Sequence, residues 1–269
     1  LDKTDKKMNH KNNKKLVVGN WKMNPRTEKE ALELAQSVVN QFSGVEYPSI
    51  GVGVAPPFVF LGKVADVLEG SDIGLGAQDM FWEDKGGYTG EISADELKFL
   101  GVSFVIIGHS ERRKMGETDY QINKKVHQAL NKGFQVVLCV GESENTRNKG
   151  IKAAKHFISN ELRRDLEKIK PVLDENPENL VIAYEPLWAI SAEKESKPAS
   201  PEKVVEIISF IKKFLDVNGI ASATRVLYGG SVSSKNAKSF LERNEIDGVL
   251  VGGASLDANE FVNIIIGYR

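Results

Sequence analysis

Residues 102–141 read "VSFVIIGHSERRKMGETDYQINKKVHQALNKGFQVVLCVG". An apolar, β-branched run comes first, "VSFVIIGH". A mixed polar and apolar stretch follows, "TDYQINKKVHQALNKG", beginning near Thr118 and ending at Gly133. A second apolar run, "FQVVLCVG", closes the segment. Both runs are continuous rather than alternating, as parallel strands covered on both faces require. The middle stretch has the pattern of a helix, with the glycine expected just past its end. The segment therefore reads as strand, helix, strand.

The unit recurs in both directions. Further apolar runs are "LVVGN" from Leu16, "IGVGVA" from Ile50, "IGLGAQ" from Ile73, "LVIAYE" from Leu180, "RVLYGG" from Arg225 and "DGVLVGG" from Asp247. Helical stretches lie between them. "TEKEALELAQSVVNQF" opens with Thr27 and carries Glu30 three residues on, a capping box. "SPEKVVEIISFIKKFLDVNG" has Ser200 as cap, Pro201 at the first helical position and Gly219 at its end. Eight repeats in about 250 residues are the arithmetic of a single-domain (β/α)8 barrel. An open, doubly wound sheet is the alternative. It calls for a glycine-rich turn after the first strand, where this chain has "NWKMNP". No Pro/Gly/Ser-rich linker divides the chain, so the barrel is expected over residues 15–269. Residues 1–14 are polar and basic, and are expected to form a disordered arm, with those before Met8 a cloning remnant. They lack the apolar centre of a signal peptide.

Composition narrows the function classes. The formal net charge is −1, which gives no global attraction to nucleic acid or to a membrane surface. No apolar run approaches the roughly 18 residues of a membrane span. The one cysteine, Cys139, sits inside an apolar run and reads as a core residue in a reducing compartment, the cytoplasm. The four histidines have no paired, metal-ligand spacing, so neither a metal nor a cofactor is expected.

In such a barrel, chemistry gathers at the C-terminal strand ends. Those ends carry Asn20 and Lys22, then His109 followed by "SERR", Glu185, the "GGS" of residues 229–231, and Gly252 with Gly253. Each has an ordinary reading as well: a turn asparagine, a solvated lysine, a hydrogen-bonded core histidine, a paired carboxylate, tight-turn glycines. Glu185 ends an apolar run and precedes "PLW"; desolvation there would raise its pKa and make it a better base. Ser110 can cap a short helix whose positive end would keep the His109 ring neutral. The two glycine pairs on adjacent strands let backbone N–H groups reach an anion. A base, a neutral imidazole, a cation and an anion grip together suit proton abstraction beside a carbonyl on a small phosphorylated sugar.

The motifs "GNWKMN", "AQD…YTGEIS", "GHSERR", "CVGE", "AYEPLWAI", "YGGSV" and "GVLVGGASL" resemble those of the triosephosphate isomerase family over residues 15–269. The resemblance implies interconversion of dihydroxyacetone phosphate and glyceraldehyde 3-phosphate without a cofactor, a step of glycolysis and gluconeogenesis. It implies Glu185 as the base and His109 as the shuttle between oxygens. The Glu base with a neutral His is this family's own documented pairing. Asn20 and Lys22 would stabilise the oxyanion, and Glu111 would partner the lysine. Ser191, Ser231, Gly252 and Gly253 would bind phosphate, and a lid would follow the sixth strand. It also implies a homodimer in which Thr89, on the loop "MFWEDKGGYTG", approaches the other subunit's site; the aromatics of that loop would be buried in the partner. The lid departs from the family's usual "AIGTGK". Here it reads "AISAEKESKPASPEK", about three residues longer and without either glycine. Altered closure is therefore expected. The competing readings are a Schiff-base aldolase, which would need a lysine where Glu185 stands, and an impaired barrel kept as a phosphate-binding scaffold.

Overall fold

The computed structural model describes residues 15–42, 50–174, 176–190, 199–220 and 223–268. The arm expected at residues 1–14 lies outside them. Eight parallel strands close into a barrel in chain order: β1 Lys15–Asn20, β2 Ile50–Ala55, β3 Ile73–Ala77, β4 Phe104–Ile107, β5 Gln135–Val140, β6 Leu180–Tyr184, β7 Arg225–Tyr228 and β8 Gly248–Val251. Pairing of β1 with both β2 and β8 makes the closure.

The strand period of two sorts the apolar runs into two cores. Leu16, Val18, Phe104, Ile106, Val137, Cys139, Val181, Ala183, Leu227 and Leu250 fill the barrel interior. Their neighbours Val17, Val105, Ile107, Val136, Leu138, Ile182 and Val226 face outward into the layer shared with the helices. A fully enclosed barrel interior is why the strands read as unbroken apolar runs.

The helices obey their end signals, with two differences. Thr27 and Glu30 form the reciprocal capping box. So do Thr118 and Gln121 at the start of the helix Asp119–Asn131. Gly133 and Gly219 take left-handed φ of 77° and 63° just past helix ends. Ser200 stands at the cap position of Pro201–Val217 but makes no side-chain cap bond. In the short helix Ser110–Lys114 the cap is His109 rather than Ser110. Strand β4 begins at Phe104, two residues later than the apolar run, although the Ser103 N–H and Oγ–H both reach the Leu75 carbonyl.

The aromatic loop after β3 packs partly on itself within the chain. Phe81 is buried within the chain and packs on Trp82 and Tyr88, with ring centroids 4.0 and 4.7 Å apart. Tyr88 of this loop stays 44% exposed, and the most exposed apolar residues elsewhere are Met23, Phe99, Val59, Met115 and Val217.

Candidate active site

Strand parity carries Asn20 and Glu185 to the barrel axis. Each continues the inward-facing series of its strand, 16-18-20 in β1 and 181-183-185 in β6. His109 arrives differently. Gly108, with φ 70°, breaks the strand geometry after β4 and resets the direction of the next side chain. Asn20, Lys22, His109, Glu111, Glu185, Gly229, Gly230, Gly252 and Gly253 then line one cavity of about 300 Å³.

Glu185 is almost wholly buried yet well supplied with donors. Its Oε1 lies 3.0 Å from His109 Nε2, and its Oε2 accepts the Ser110 N–H at 3.0 Å. The Cys139 thiol is adjacent, and burial with that carboxylate holds the thiol well above its usual range. Burial pushes the Glu185 carboxyl up, but the His109 ring and the Ser110 N–H outweigh it, with Lys22 adding to them. Its pKa lies below the ordinary carboxylate value. The rise expected from desolvation alone is thus reversed, because the sequence shows the burial and not the donors.

His109 is fixed from both sides. Its Nδ1 accepts the Glu111 N–H at 3.2 Å, at the start of the short helix. The neutral tautomer therefore carries its proton on Nε2, facing Glu185. Burial lowers the ring's proton affinity, the adjacent Glu185 raises it, and in the free site the second effect is larger.

Lys22 stands at φ 54°, an uncommon conformation for a residue with a Cβ. Asn20 Oδ1 holds it there by accepting the Lys22 N–H at 3.0 Å. The Gln78 side chain adds a bond to the Lys22 carbonyl at 2.8 Å. The ammonium pairs with Glu111 Oε1 at 2.7 Å at the cavity mouth. Asn20 thus spends its carbonyl on positioning Lys22, and the amide NH2 is the end left to donate.

The segment after β6 is anchored by a residue that sequence reasoning quoted but did not single out. Buried Glu142 accepts from Tyr184 Oη at 3.1 Å and from Trp188 Nε1 at 3.0 Å. Arg147 lies 3.6 Å from the same carboxylate and 5.4 Å from the Trp188 ring centroid. Leu187 N–H donates to the Glu142 carbonyl. The motif "CVGE" was the signal; its purpose appears only once β5 and β6 are neighbours. Gly141 is required here, since a Cβ would sit 1.8 Å from the Glu185 carbonyl oxygen.

At the far side of the cavity, Ser231 donates both its N–H, at 3.1 Å, and its Oγ–H, at 2.7 Å, to the Ala189 carbonyl. Gly252 precedes the turn Gly253–Leu256, whose first N–H groups have no partner within a helix of that kind. Ser191 lies outside the described residues. Thr89 is exposed on the loop after β3 and does not line the cavity. Among the described residues, no group of three His, Cys, Asp or Glu side chains is placed to hold a metal ion.

The family profile described as Triosephosphate isomerase matches residues 15–267. The chain belongs to the triosephosphate isomerase family. A protein named triosephosphate isomerase from Thermoanaerobacter pseudethanolicus is 44% identical over 251 residues, covering 93% of this chain and 98% of that protein. Proteins of the same name from Alkaliphilus metalliredigens and Chloroherpeton thalassium are 42% and 43% identical, each covering 94% of this chain and 98% of their own length. The match therefore spans all eight strands of the barrel.

Proposed function

We propose that this isomerase interconverts dihydroxyacetone phosphate and D-glyceraldehyde 3-phosphate through an enediolate, with Glu185 as the base. The observation that carries the reading is the Glu185–His109 pair at 3.0 Å on the cavity floor. Glu185 removes the proton from one carbon and returns it to the next. The His109 Nε2–H protonates the oxygen on which charge develops, then takes the proton from the neighbouring hydroxyl. Lys22 and the Asn20 NH2 stabilise the charge while it is on oxygen. Glu111 holds the Lys22 ammonium at the mouth.

A substrate carbonyl entering between Glu185 and His109 separates the pair. The ring then loses the nearer of the two carboxylates that raise its proton affinity, Glu111 being the other. Burial, Lys22 and the Glu111 N–H all remain, and all favour neutral imidazole. The free base likewise leaves the donors that hold its pKa down and becomes a stronger proton acceptor. The site thus stores the base in a stabilised form and releases it on binding. A coupled assay for triose phosphate isomerisation tests this. Glu185→Asp, which retracts the carboxylate by one methylene, should lower kcat by about 10²-fold.

The phosphate would lie against Ser231, Gly252 and Gly253, with Ser191 contributing if its N–H takes the place of the family's glycine. The longer, glycine-free lid supports a reading of altered closure. Grafting the short glycine lid onto the chain should raise turnover or reduce phosphate elimination per turnover; no change in either removes that reading.

A C2 homodimer is the assembly we favour. Met23 is 93% exposed and Phe99 85%, and a surface cavity of about 690 Å³ beside Phe81, Tyr88 and Phe99 offers a seat for apolar side chains. A fully active monomer in sedimentation at assay concentration would refute it. Among the described residues no helix is long and apolar enough to cross a membrane. With the buried, unpaired Cys139 this supports a cytoplasmic location.

A further inference from the structure

The two glycine turns that close the cavity are joined by one carboxylate that does not line it. Glu260 Oε1 accepts the Ser234 N–H at 2.7 Å, and Oε2 accepts the Ser234 Oγ–H at 2.9 Å. Ser234 belongs to the turn that follows β7. Glu260 belongs to the helix Ala258–Ile266, which follows the Gly253–Leu256 turn after β8. Its own N–H is held by Asp257 Oδ1 at 3.0 Å, which pins the first turn of its helix to the residue that follows the second turn. The first turn is held internally by Asn236. The Asn236 amide accepts the Ser233 N–H at 2.8 Å and donates to the Ser231 carbonyl at 3.0 Å. The cavity wall here consists of Gly229, Gly230, Val232, Gly252, Gly253 and Ala254, so neither Glu260 nor Asn236 would touch a ligand.

Backbone donors cannot be aimed by changing rotamer. Two turns converge on one anion only if their separation is set by something else. A carboxylate accepting two bonds from one residue fixes both distance and direction, which a single neutral bond does not. Both of its oxygens are occupied by Ser234, so its charge is spent on the brace rather than presented to the cavity.

We propose that Glu260, assisted by Asn236, is the positioning residue that sets the spacing of the two phosphate-binding turns. This deepens the functional reading above and rests on its assignment of that wall to phosphate. The test is calorimetric titration of inorganic phosphate, with KM and kcat for triose phosphates, in the parent chain and in Ser234→Ala, Glu260→Gln and Glu260→Ala. The expected result for Glu260→Ala is a loss of phosphate affinity of about five- to tenfold, a similar rise in KM and a much smaller change in kcat. Glu260→Gln, which keeps one accepting oxygen, falls between. Ser234→Ala, which keeps its N–H, changes least, and adds nothing in combination with Glu260→Ala. Unchanged phosphate affinity and KM in Glu260→Ala overturn the proposal, whatever its melting temperature. If that variant does not fold, unchanged values in both Glu260→Gln and Ser234→Ala overturn it equally. A parent chain that binds phosphate and fails to isomerise removes the functional reading, while the brace is still judged by the titration.

Discussion

The β4–β6 wall of the cavity and its β7–β8 wall are made of different material. The first is built from side chains already bonded to one another or to backbone N–H groups: Glu185 on the His109 ring and the Ser110 N–H, His109 on the Glu111 N–H, Trp188 on Glu142. The second is built from turn backbone, and Ser231 N–H, proposed above as a phosphate donor, is spent on the Ala189 carbonyl. The groups proposed to transfer protons are thus already bonded within the site. On the proposed reading, the glycine-turn wall exchanges that internal bond for a phosphate. One consequence is that single substitutions should act very unequally on the two walls, since a side chain can be deleted and a backbone N–H cannot.

The largest effect is expected from Glu185→Gln. The isosteric amide keeps its place against His109 and Ser110 but cannot accept the carbon proton. The fall in kcat should be about 10³-fold or more, with KM little changed. Parent-like turnover from this variant would end the comparison at its root.

His109→Gln comes next. It removes the shuttle between oxygens and the ring that holds the Glu185 pKa down. The expected loss in kcat is about 10²-fold. The acid limb of kcat/KM for the free enzyme should also move to higher pH, because Glu185 loses its first stabilising partner while its burial remains. A pH–rate profile checks both at once. An unmoved acid limb would show that the ring does not set the carboxyl's charge state.

These two residues mark how far the sequence could be read. The barrel was legible because eight buried strands leave eight unbroken apolar runs. The rim was legible because strand ends are where those runs stop. The charge state of Glu185 was not, since the His109 ring and the Ser110 N–H reach it from the end of β4 and Lys22 from the end of β1, and strand order is a tertiary fact. The His109 cap was missed for a related reason. Ser is the ordinary cap residue, and only the ring's position in the folded chain lets Nδ1 take the Glu111 N–H. The self-packing of Phe81, Trp82 and Tyr88 depends on a loop curl that composition does not encode. The sequence singled out neither Gly108 nor Gly141; the need at Gly141, against the Glu185 carbonyl, shows only once β5 and β6 pair.

On the amide wall, Ser231→Ala should do far less. It deletes the Oγ bond to the Ala189 carbonyl and keeps the N–H. We expect KM for triose phosphates to change by about threefold or less, with kcat near the parent value. A 10²-fold loss here would place a reacting or gating role on the hydroxyl and erase the distinction between the walls.

The smallest effect concerns stability, and it separates the walls by charge. Behind the proton-transfer wall, Glu161 Oε2 accepts the Gly141 N–H at 3.0 Å, beside the peptide on which Glu185 rests. Burial pushes the Glu161 carboxyl up to about 8 against the pull of Arg113, and Asp165 close by is raised to about 7. Arg113 also pairs with Asp119 at 2.7 Å, so three carboxylates share one guanidinium. A carboxyl whose folded pKa lies above its unfolded value contributes most at low pH. That contribution is lost as pH rises from about 4.5 toward the folded value of about 8, and is constant above it. Glu161→Gln keeps an acceptor for the Gly141 N–H and removes the titration. Its melting temperature relative to the parent should therefore climb between pH 5 and pH 8 and level off beyond. A neutral substitution on the amide wall, Ser231→Ala, should show a difference from the parent that does not depend on pH. Thermal melts of the three proteins across that range decide the matter: parallel curves for Glu161→Gln and the parent would mean that the charge behind the base is already fully compensated by Arg113.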